Sequence, residues 1–184
     1  MPEYNYISEE ICTVTDFFSA EECDSYVRLA ESIGFEEAPI NTALGPIIRK
    51  DVRNNTRVIL DDEQRANNLW SRIPDYIPHR LGNWKVCGVN ERLRFYRYEL
   101  GQLFDWHYDG CYERENGERS YLTFMIYLND DFEGGETTIE REKIVPQKGM
   151  ALFFVHQIRH RGEPVVRGRK YVLRTDVMYR YEPA

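Results

Sequence analysis

The amino-acid sequence predicts a mainly β fold of the α+β class, with a double-sheet jelly-roll core and N-terminal helices packed on one sheet. Helical signals dominate before residue 88, whereas strand signals separated by short turns dominate after it. Aromatic residues make up 14% of the chain, and their enrichment favours sheet. The 184 residues suit a single domain, with helical support and lid segments over 1–87 and the jelly-roll core over 88–184.

Two helices are predicted in the N-terminal half. Ser19 and Glu22 have the spacing of a capping box, and Gly34 is a natural stop for the helix that they begin. A second helix is predicted to begin at the pair Asp61–Asp62 and to end before Pro74. The apolar stripes of both helices are expected to pack on the core.

Segments rich in aromatic and β-branched residues predict the strands. The segment 36–50 contains two prolines and a glycine, so we expect an irregular loop there that could act as a lid. The diglycine turn Gly134–Gly135 is assigned no chemistry, because glycine mainly permits unusual backbone angles. The predicted strands span 52–60, 93–100, 120–128, 136–140, 150–156 and 170–181.

Charge and cysteine usage exclude several classes of protein. The net charge of −7 disfavours a nucleic-acid partner, which a protein usually grips with a basic excess. The N-terminus is acidic and polar, no apolar run suits a membrane helix, and no pattern predicts an oligomeric state. The cysteines form no CxxC pair, so we expect reduced thiols and a cytoplasmic location. They are Cys12, Cys23, Cys87 and Cys111.

A candidate metal site begins at the sequence DWHYDG. His107 and Asp109 are two residues apart, and such residues point the same way on an extended segment. A second histidine from a distant strand would complete a two-His, one-carboxylate triad, which leaves open positions on iron(II). Zinc is disfavoured because its sites usually hold four N and S ligands.

Two histidines, His156 and His160, compete for the third ligand position. Ten residues after His160 the chain reaches Lys170, whereas ten residues after His156 it reaches Val166. A glycine-containing turn in between can bring Lys170 back beside the metal, where it could hold a carboxylate of a co-substrate. This spacing favours His160 and leaves His156 as a partly buried histidine near the site.

Strand alternation groups further candidates around this position. Lys170 and Arg174 share one face of the last strand, so Arg174 is a rival or supplement to Lys170. Arg94, Tyr96 and Tyr98 share a face of an earlier strand and are expected to point into the barrel.

From about Glu91 to Tyr181 the chain resembles the catalytic domain of prolyl 4-hydroxylase-like 2-oxoglutarate/iron(II) oxygenases, whose core is a double-stranded β-helix. The resemblance covers about half of the chain and keeps the order and spacing of the family's motifs. The stretches that carry it are YELGQLFDWHYD, YLTFMIYLNDDFEGGETTI, VPQKGMALFF and HRGEPVVRGRKYVLRTDVMY.

The resemblance implies a role for each matching residue. The catalytic metal ligands would be His107, Asp109 and His160. Lys170 would pair with the distal carboxylate of 2-oxoglutarate, and Tyr98 and Tyr127 match tyrosines that reach the same co-substrate. Arg174 enters this co-substrate site from strand alternation alone.

The implied activity is hydroxylation of an aliphatic C–H by an Fe(II)/2-oxoglutarate-dependent dioxygenase, with O₂ as co-substrate and ascorbate as reductant. The expected substrate is a prolyl or other side chain of a peptide or protein. The alternative is a free amino acid or small metabolite, and segments 36–60 and 110–120 would decide between them. An AlkB-like nucleic-acid demethylase is disfavoured by the acidic charge. From a different class, a jelly roll that binds metal or sugar without catalysis is the remaining alternative.

Overall fold

A computed structural model describes residues 1–42 and 44–183, and within them the chain forms two α-helices and eighteen strands. The helices are α1 (Ala20–Ile33) and α2 (Glu63–Trp70), followed by a 3₁₀ turn at Pro74–Tyr76. The strands before residue 90 are β1 (Glu3–Ser8), β2 (Ile11–Thr15), β3 (Glu36–Glu37), β4 (Ile40–Thr42), β5 (Gly45–Ile47), β6 (Thr56–Asp61), β7 (Arg80–Leu81) and β8 (Trp84–Val89). Those after it are β9 (Arg92–Tyr98), β10 (Phe104–His107), β11 (Arg119–Tyr127), β12 (Glu133–Gly134), β13 (Thr137–Ile139), β14 (Glu142–Ile144), β15 (Ala151–Val155), β16 (His160–Gly162), β17 (Val165–Arg167) and β18 (Lys170–Tyr181).

The strands form one large and one small antiparallel sheet. The large sheet has ten strands, in the order β1-β2-β15-β11-β18-β9-β6-β3, with β8 paired to the second half of β18 and β7 paired to β8. The small sheet has the order β10-β16-β13-β14. Two-stranded ribbons, β12-β17 and β4-β5, complete the fold. This antiparallel two-sheet architecture confirms the predicted jelly roll.

The central strand β11 separates two apolar clusters. Leu122 and Phe124 point to the cluster that α1 and α2 cover, whereas Tyr127 points to the cluster between the two sheets. Side chains alternate between the faces of a strand, so one strand serves both clusters. The interior between the sheets is where β10 and β16 bring the candidate ligands.

Both predicted helix starts are confirmed. Ser19 accepts a hydrogen bond from the Glu22 amide (3.2 Å), the Glu22 carboxylate accepts one from the Ser19 amide (2.8 Å), and Gly34 ends α1 with φ of 95°. Asp62 caps α2. The second helix ends at Trp70, earlier than predicted, and a turn at residues 71–72 separates it from the 3₁₀ segment that begins at Pro74. No helix within the described residues is both long and apolar enough to cross a membrane.

The predicted strands of the C-terminal half are all present, with bounds shifted by a few residues at most. The N-terminal half differs more from prediction. Besides the two predicted helices, it contributes the unpredicted strands β1, β2 and β8 to the large sheet. The predicted irregular loop at 36–50 contains the short hairpin β4-β5. Ala43, inside that loop, and the C-terminal Ala184 lie outside the described residues.

Candidate active site

Three candidate metal ligands meet where β10 pairs with β16. His107 ends β10, His160 begins β16, and the two are direct partners in the antiparallel register. Asp109 follows β10 by two residues. Its Oδ1 lies 4.0 Å from His107 Nε2 and its Oδ2 lies 3.5 Å from His160 Nε2. The three ligand atoms lie within 4.8 Å of one another, so they can share one ion.

Backbone carbonyls orient both imidazoles. His107 Nδ1 lies 2.7 Å from the carbonyl oxygen of Asp105, and His160 Nδ1 lies 3.0 Å from that of Ile158. Because a carbonyl can only accept, each Nδ1 carries the proton and each Nε2 keeps its lone pair for a metal. Burial lowers the pKa of His107 to about 3 and also lowers that of His160, so both rings are neutral ligands at pH 7.

Asp109 supplies the negative charge of the site. Burial alone would raise the pKa of its carboxyl, but the Arg174 guanidinium, 3.2 Å away, holds that pKa well below its usual range. The Thr123 hydroxyl adds a hydrogen bond of 2.5 Å to Oδ2. Two neutral imidazoles and one carboxylate, with no sulfur, form a donor set that fits iron(II).

Lys170 is the buried cation of the same cavity. Its side chain is 2% exposed, and its Nζ donates to the carbonyl of Gly135 (2.5 Å) between the rings of Tyr98 and Tyr127. Burial lowers its pKa to about 7, and the charge of Glu136 offsets only part of this fall. Within the described residues no carboxylate lies within 4.0 Å of Nζ, so the charge is available to a ligand.

The rings of the two predicted tyrosines both lie beside the Lys170 ammonium, but the two side chains differ in their contacts with the cavity. Tyr98 lines the cavity together with the triad. Tyr127 donates its hydroxyl to Thr137 (2.6 Å), which itself lines the cavity. The ring of Tyr127 therefore packs beside Lys170, while its hydroxyl is already hydrogen-bonded to Thr137. A contact from either tyrosine to a co-substrate stays a prediction.

Arg174 lies at the metal end of the cavity. Its Nη2 lies 3.2 Å from Asp109 Oδ2 and 2.9 Å from Asp176 Oδ1, so the guanidinium forms an ion pair with each carboxylate. Four residues along a strand separate it from Lys170 by about 13 Å. The structure therefore places Arg174 beside Asp109, a candidate metal ligand, and the predicted contact of Arg174 to 2-oxoglutarate stays a prediction.

His156 lies outside the triad, in a buried polar network that the sequence analysis did not anticipate. Its ring contacts Ser120 and Thr123, both fully buried. Asp176 joins the same region and accepts from Asn90 (3.0 Å). The available signal was polar residues within otherwise apolar strands, which must find partners when buried.

A comparison with known protein families shows what one segment of the chain is similar to. The sequence model of the 2OG-Fe(II) oxygenase superfamily matches residues 93–175. That segment contains His107, Asp109, His160 and Lys170, which all line one cavity. Over this segment the chain is similar to the 2OG-Fe(II) oxygenase superfamily. This match confirms the resemblance that the four sequence motifs predicted.

The chain is also similar to plant prolyl 4-hydroxylases. It is 33% identical to probable prolyl 4-hydroxylase 9 of Arabidopsis thaliana over 190 residues, which is 85% of this chain and 64% of the relative. It is 25% identical to probable prolyl 4-hydroxylase 8 of the same plant, over the same shares of both chains. The chain spans about half to just under two thirds of the length of such curated relatives.

Solved structures of oxygenases share the fold. A prolyl hydroxylase from Trichoplax adhaerens, in complex with a peptide fragment of the hypoxia inducible factor oxygen degradation domain, matches with a TM-score of 0.72 at 19% identity, covering 92% of this chain and 84% of that one. The viral collagen prolyl hydroxylase of Paramecium Bursaria Chlorella virus-1 matches with a TM-score of 0.64 at 22% identity, covering 93% and 97%. At these identities the likeness concerns the fold alone.

Proposed function

We propose that this chain is an Fe(II)- and 2-oxoglutarate-dependent dioxygenase that hydroxylates an aliphatic C–H of a prolyl or other side chain in a peptide or protein. One observation carries the proposal. The cavity that holds a two-His, one-carboxylate triad also holds a buried lysine that has no carboxylate partner among the described residues. A metal site alone would need no such cation, whereas a dicarboxylate bound to the metal at one end needs a partner for the other.

The residues divide the work as follows. His107, Asp109 and His160 would hold the iron, which supplies, when bound, the O₂-dependent decarboxylation of 2-oxoglutarate that drives hydroxylation. Lys170 has three N–H donors and spends one on Gly135, so two remain for the distal carboxylate of 2-oxoglutarate. The apolar walls around this ammonium exclude water and strengthen the ion pair.

A peptide or protein substrate is supported by the plant relatives, which are named prolyl 4-hydroxylases. The chain itself offers an exposed surface next to the triad. Tyr108 lies between two of the ligands in sequence and is 63% exposed. An exposed aromatic beside the metal suits a substrate that docks from solvent.

Ascorbate as reductant and a cytoplasmic location are further parts of the proposal. Ascorbate follows from the iron, which must be kept divalent between turnovers. The cytoplasmic location is supported by the four thiols, which are all free.

The test measures succinate formation by the purified protein with Fe(II), 2-oxoglutarate, ascorbate and O₂. His160→Ala should abolish succinate formation, because it removes a triad ligand. His79→Ala is the matched control, since His79 is exposed and outside the site. The proposal is wrong if the wild type forms no succinate and shows no 2-oxoglutarate-dependent iron(II) absorption band without oxygen.

A second stage identifies the substrate class. The protein is incubated with proline-containing peptides and, separately, with free amino acids, and products are weighed by mass spectrometry. A peptide product heavier by one oxygen on proline supports the proposal. Oxygen found only on free amino acids would replace the peptide substrate with a small metabolite.

A further inference from the structure

A chain of buried hydrogen bonds runs from the loop after Asp109 back to Asp109 itself. The Tyr112 amide donates to Ser120 Oγ (2.8 Å), and Ser120 Oγ lies 2.8 Å from His156 Nε2. His156 Nδ1 lies 2.9 Å from Thr123 Oγ1, which donates to Asp109 Oδ2 (2.5 Å). We call Ser120, His156 and Thr123 the relay.

The donor directions along the relay follow from its two ends. Asp109 is a carboxylate and can only accept, so Thr123 must give it its single proton. Thr123 then accepts from His156 Nδ1–H. A neutral imidazole has one N–H, so His156 Nε2 accepts from the Ser120 hydroxyl, which in turn accepts from the Tyr112 amide. Every member is satisfied in a single arrangement.

The backbone is shaped to build the relay. Ser120 and Thr123 are three residues apart, so a regular strand would point them to opposite faces. A β-bulge interrupts β11 between Ser120 and Leu122. Bulges re-aim side chains and are over-represented next to active sites. Here the bulge turns Ser120 to the same side as Thr123, and both are fully buried.

The relay acts on one oxygen of the iron ligand. Asp109 Oδ2 accepts a hydrogen bond from Thr123 and lies 3.2 Å from the Arg174 guanidinium, whereas Oδ1 makes no hydrogen bond to the described residues. We propose that Thr123, held by His156 and Ser120, is a positioning residue that fixes the rotamer of Asp109 and reserves Oδ1 for the metal. The inference rests on the proposed function, because it concerns the same triad.

The relay also ties the ligand to the loop that follows it. Tyr112 donates to Ser120 and its carbonyl accepts from the Ser120 amide (2.9 Å). The loop is thus attached to β11 three residues after Asp109. A change in the position of Tyr112 would reach the carboxylate through four hydrogen bonds.

The experiment measures binding of Fe(II) alone, without oxygen, against a competing chelator, and records the visible spectrum of the Co(II)-loaded protein. Thr123→Val removes the hydroxyl at nearly constant shape and should weaken Fe(II) binding about 10–100-fold and change the Co(II) spectrum. Thr123→Ser keeps the hydroxyl and should restore both to within about threefold. Thr175→Val is the matched control, because Thr175 is a buried threonine of β18 that bonds to Asn90 and not to a ligand.

A merely structural role would lower thermal stability in the Thr123 and Thr175 variants alike and leave metal affinity and the Co(II) spectrum unchanged. Wild-type metal affinity in Thr123→Val would therefore refute the positioning role of the relay. Succinate formation by the wild type would still support the proposed oxygenase function. If Thr123→Val does not fold, Ser120→Ala tests the far end, with an expected loss of about 3–10-fold. Wild-type affinity in Ser120→Ala would then refute the inference. A wild type that binds no metal refutes both proposals.

Discussion

Lys170→Met separates the binding role of Lys170 from its effect on stability. Methionine keeps a long unbranched side chain but removes the ammonium that faces the cavity. We expect the affinity for 2-oxoglutarate to fall while the ligand-free protein becomes no less stable. The two effects have opposite signs because the cavity disfavours the charge that the ligand requires.

The magnitudes follow from the burial of Lys170. Truncating one partner of a buried, hydrogen-bonded charge pair costs about 2–5 kcal/mol, so a loss of about 3 kcal/mol corresponds to roughly 150-fold weaker binding. Without ligand, burial lowers the pKa of Lys170 from 10.5 to about 7, which corresponds to roughly 5 kcal/mol against keeping it charged. The variant leaves the Gly135 carbonyl unsatisfied, at a cost of about 1–3 kcal/mol. The free energy of unfolding should therefore rise by about 2–4 kcal/mol.

The assay is anaerobic calorimetric titration of the Fe(II)-loaded protein with 2-oxoglutarate, beside urea unfolding of the ligand-free protein. Arg169→Met is the matched control, since Arg169 is the adjacent cation but is exposed and paired with Glu99 (2.8 Å). A dissociation constant for Lys170→Met within threefold of wild type would refute the reasoning. A parallel loss of affinity and stability would show that the lysine acts through the fold instead.

Three further results are expected. Proton uptake should accompany 2-oxoglutarate binding at pH 8, because Lys170, with a pKa of about 7, is then mostly neutral and must gain a proton to pair with the ligand. The affinity for 2-oxoglutarate should be full below pH 7 and fall as the pH rises. Calorimetry in two buffers tests this. Arg174→Gln should lower the free energy of unfolding by about 3–5 kcal/mol, because Asp109 loses its counter-ion and the buried Asp176 keeps only Arg94; a urea unfolding curve at the wild-type level would contradict it. Gly149→Ala should destabilise more than Gly117→Ala, which should cost about 1–2 kcal/mol. Both glycines have φ of 83°, but only at 149 would an added Cβ meet a backbone carbonyl, so equal melting temperatures would refute the clash.

The C-terminal strands could be predicted from sequence because their alternation is regular and their turns contain glycine, asparagine or proline. β1 could not, because all of its residues are exposed or half-buried and it lies at the sheet edge without a one-sided apolar pattern. β8 pairs with the far half of β18, a contact about ninety residues away in sequence. Long-range pairing of this kind leaves no local signal.

The candidate site was predictable where spacing carries the chemistry. His107, Asp109 and His160 follow from motif and spacing, and the structure brings them together. The partner of Arg174 was not predictable, because strand alternation tells which face a side chain takes but not which carboxylate lies on the neighbouring strand. Thr123 was missed for the same reason, since a single hydroxyl in an apolar strand names no partner.

Because β11 serves the helix-side core with one set of alternate residues and the site with the other, a slip of its pairing by one residue would exchange the two sets. Phe124 would enter the polar interior, and Thr123 would face the helices. A form with β11 out of register would lose both the packing under the helices and the side chains that β11 gives to the site. Tight metal binding would therefore show that this strand is correctly paired. A single-residue insertion or deletion within β11 should accordingly be tolerated far less than one in the loop after Asp109, and variant libraries selected for metal retention would map the strand's boundaries.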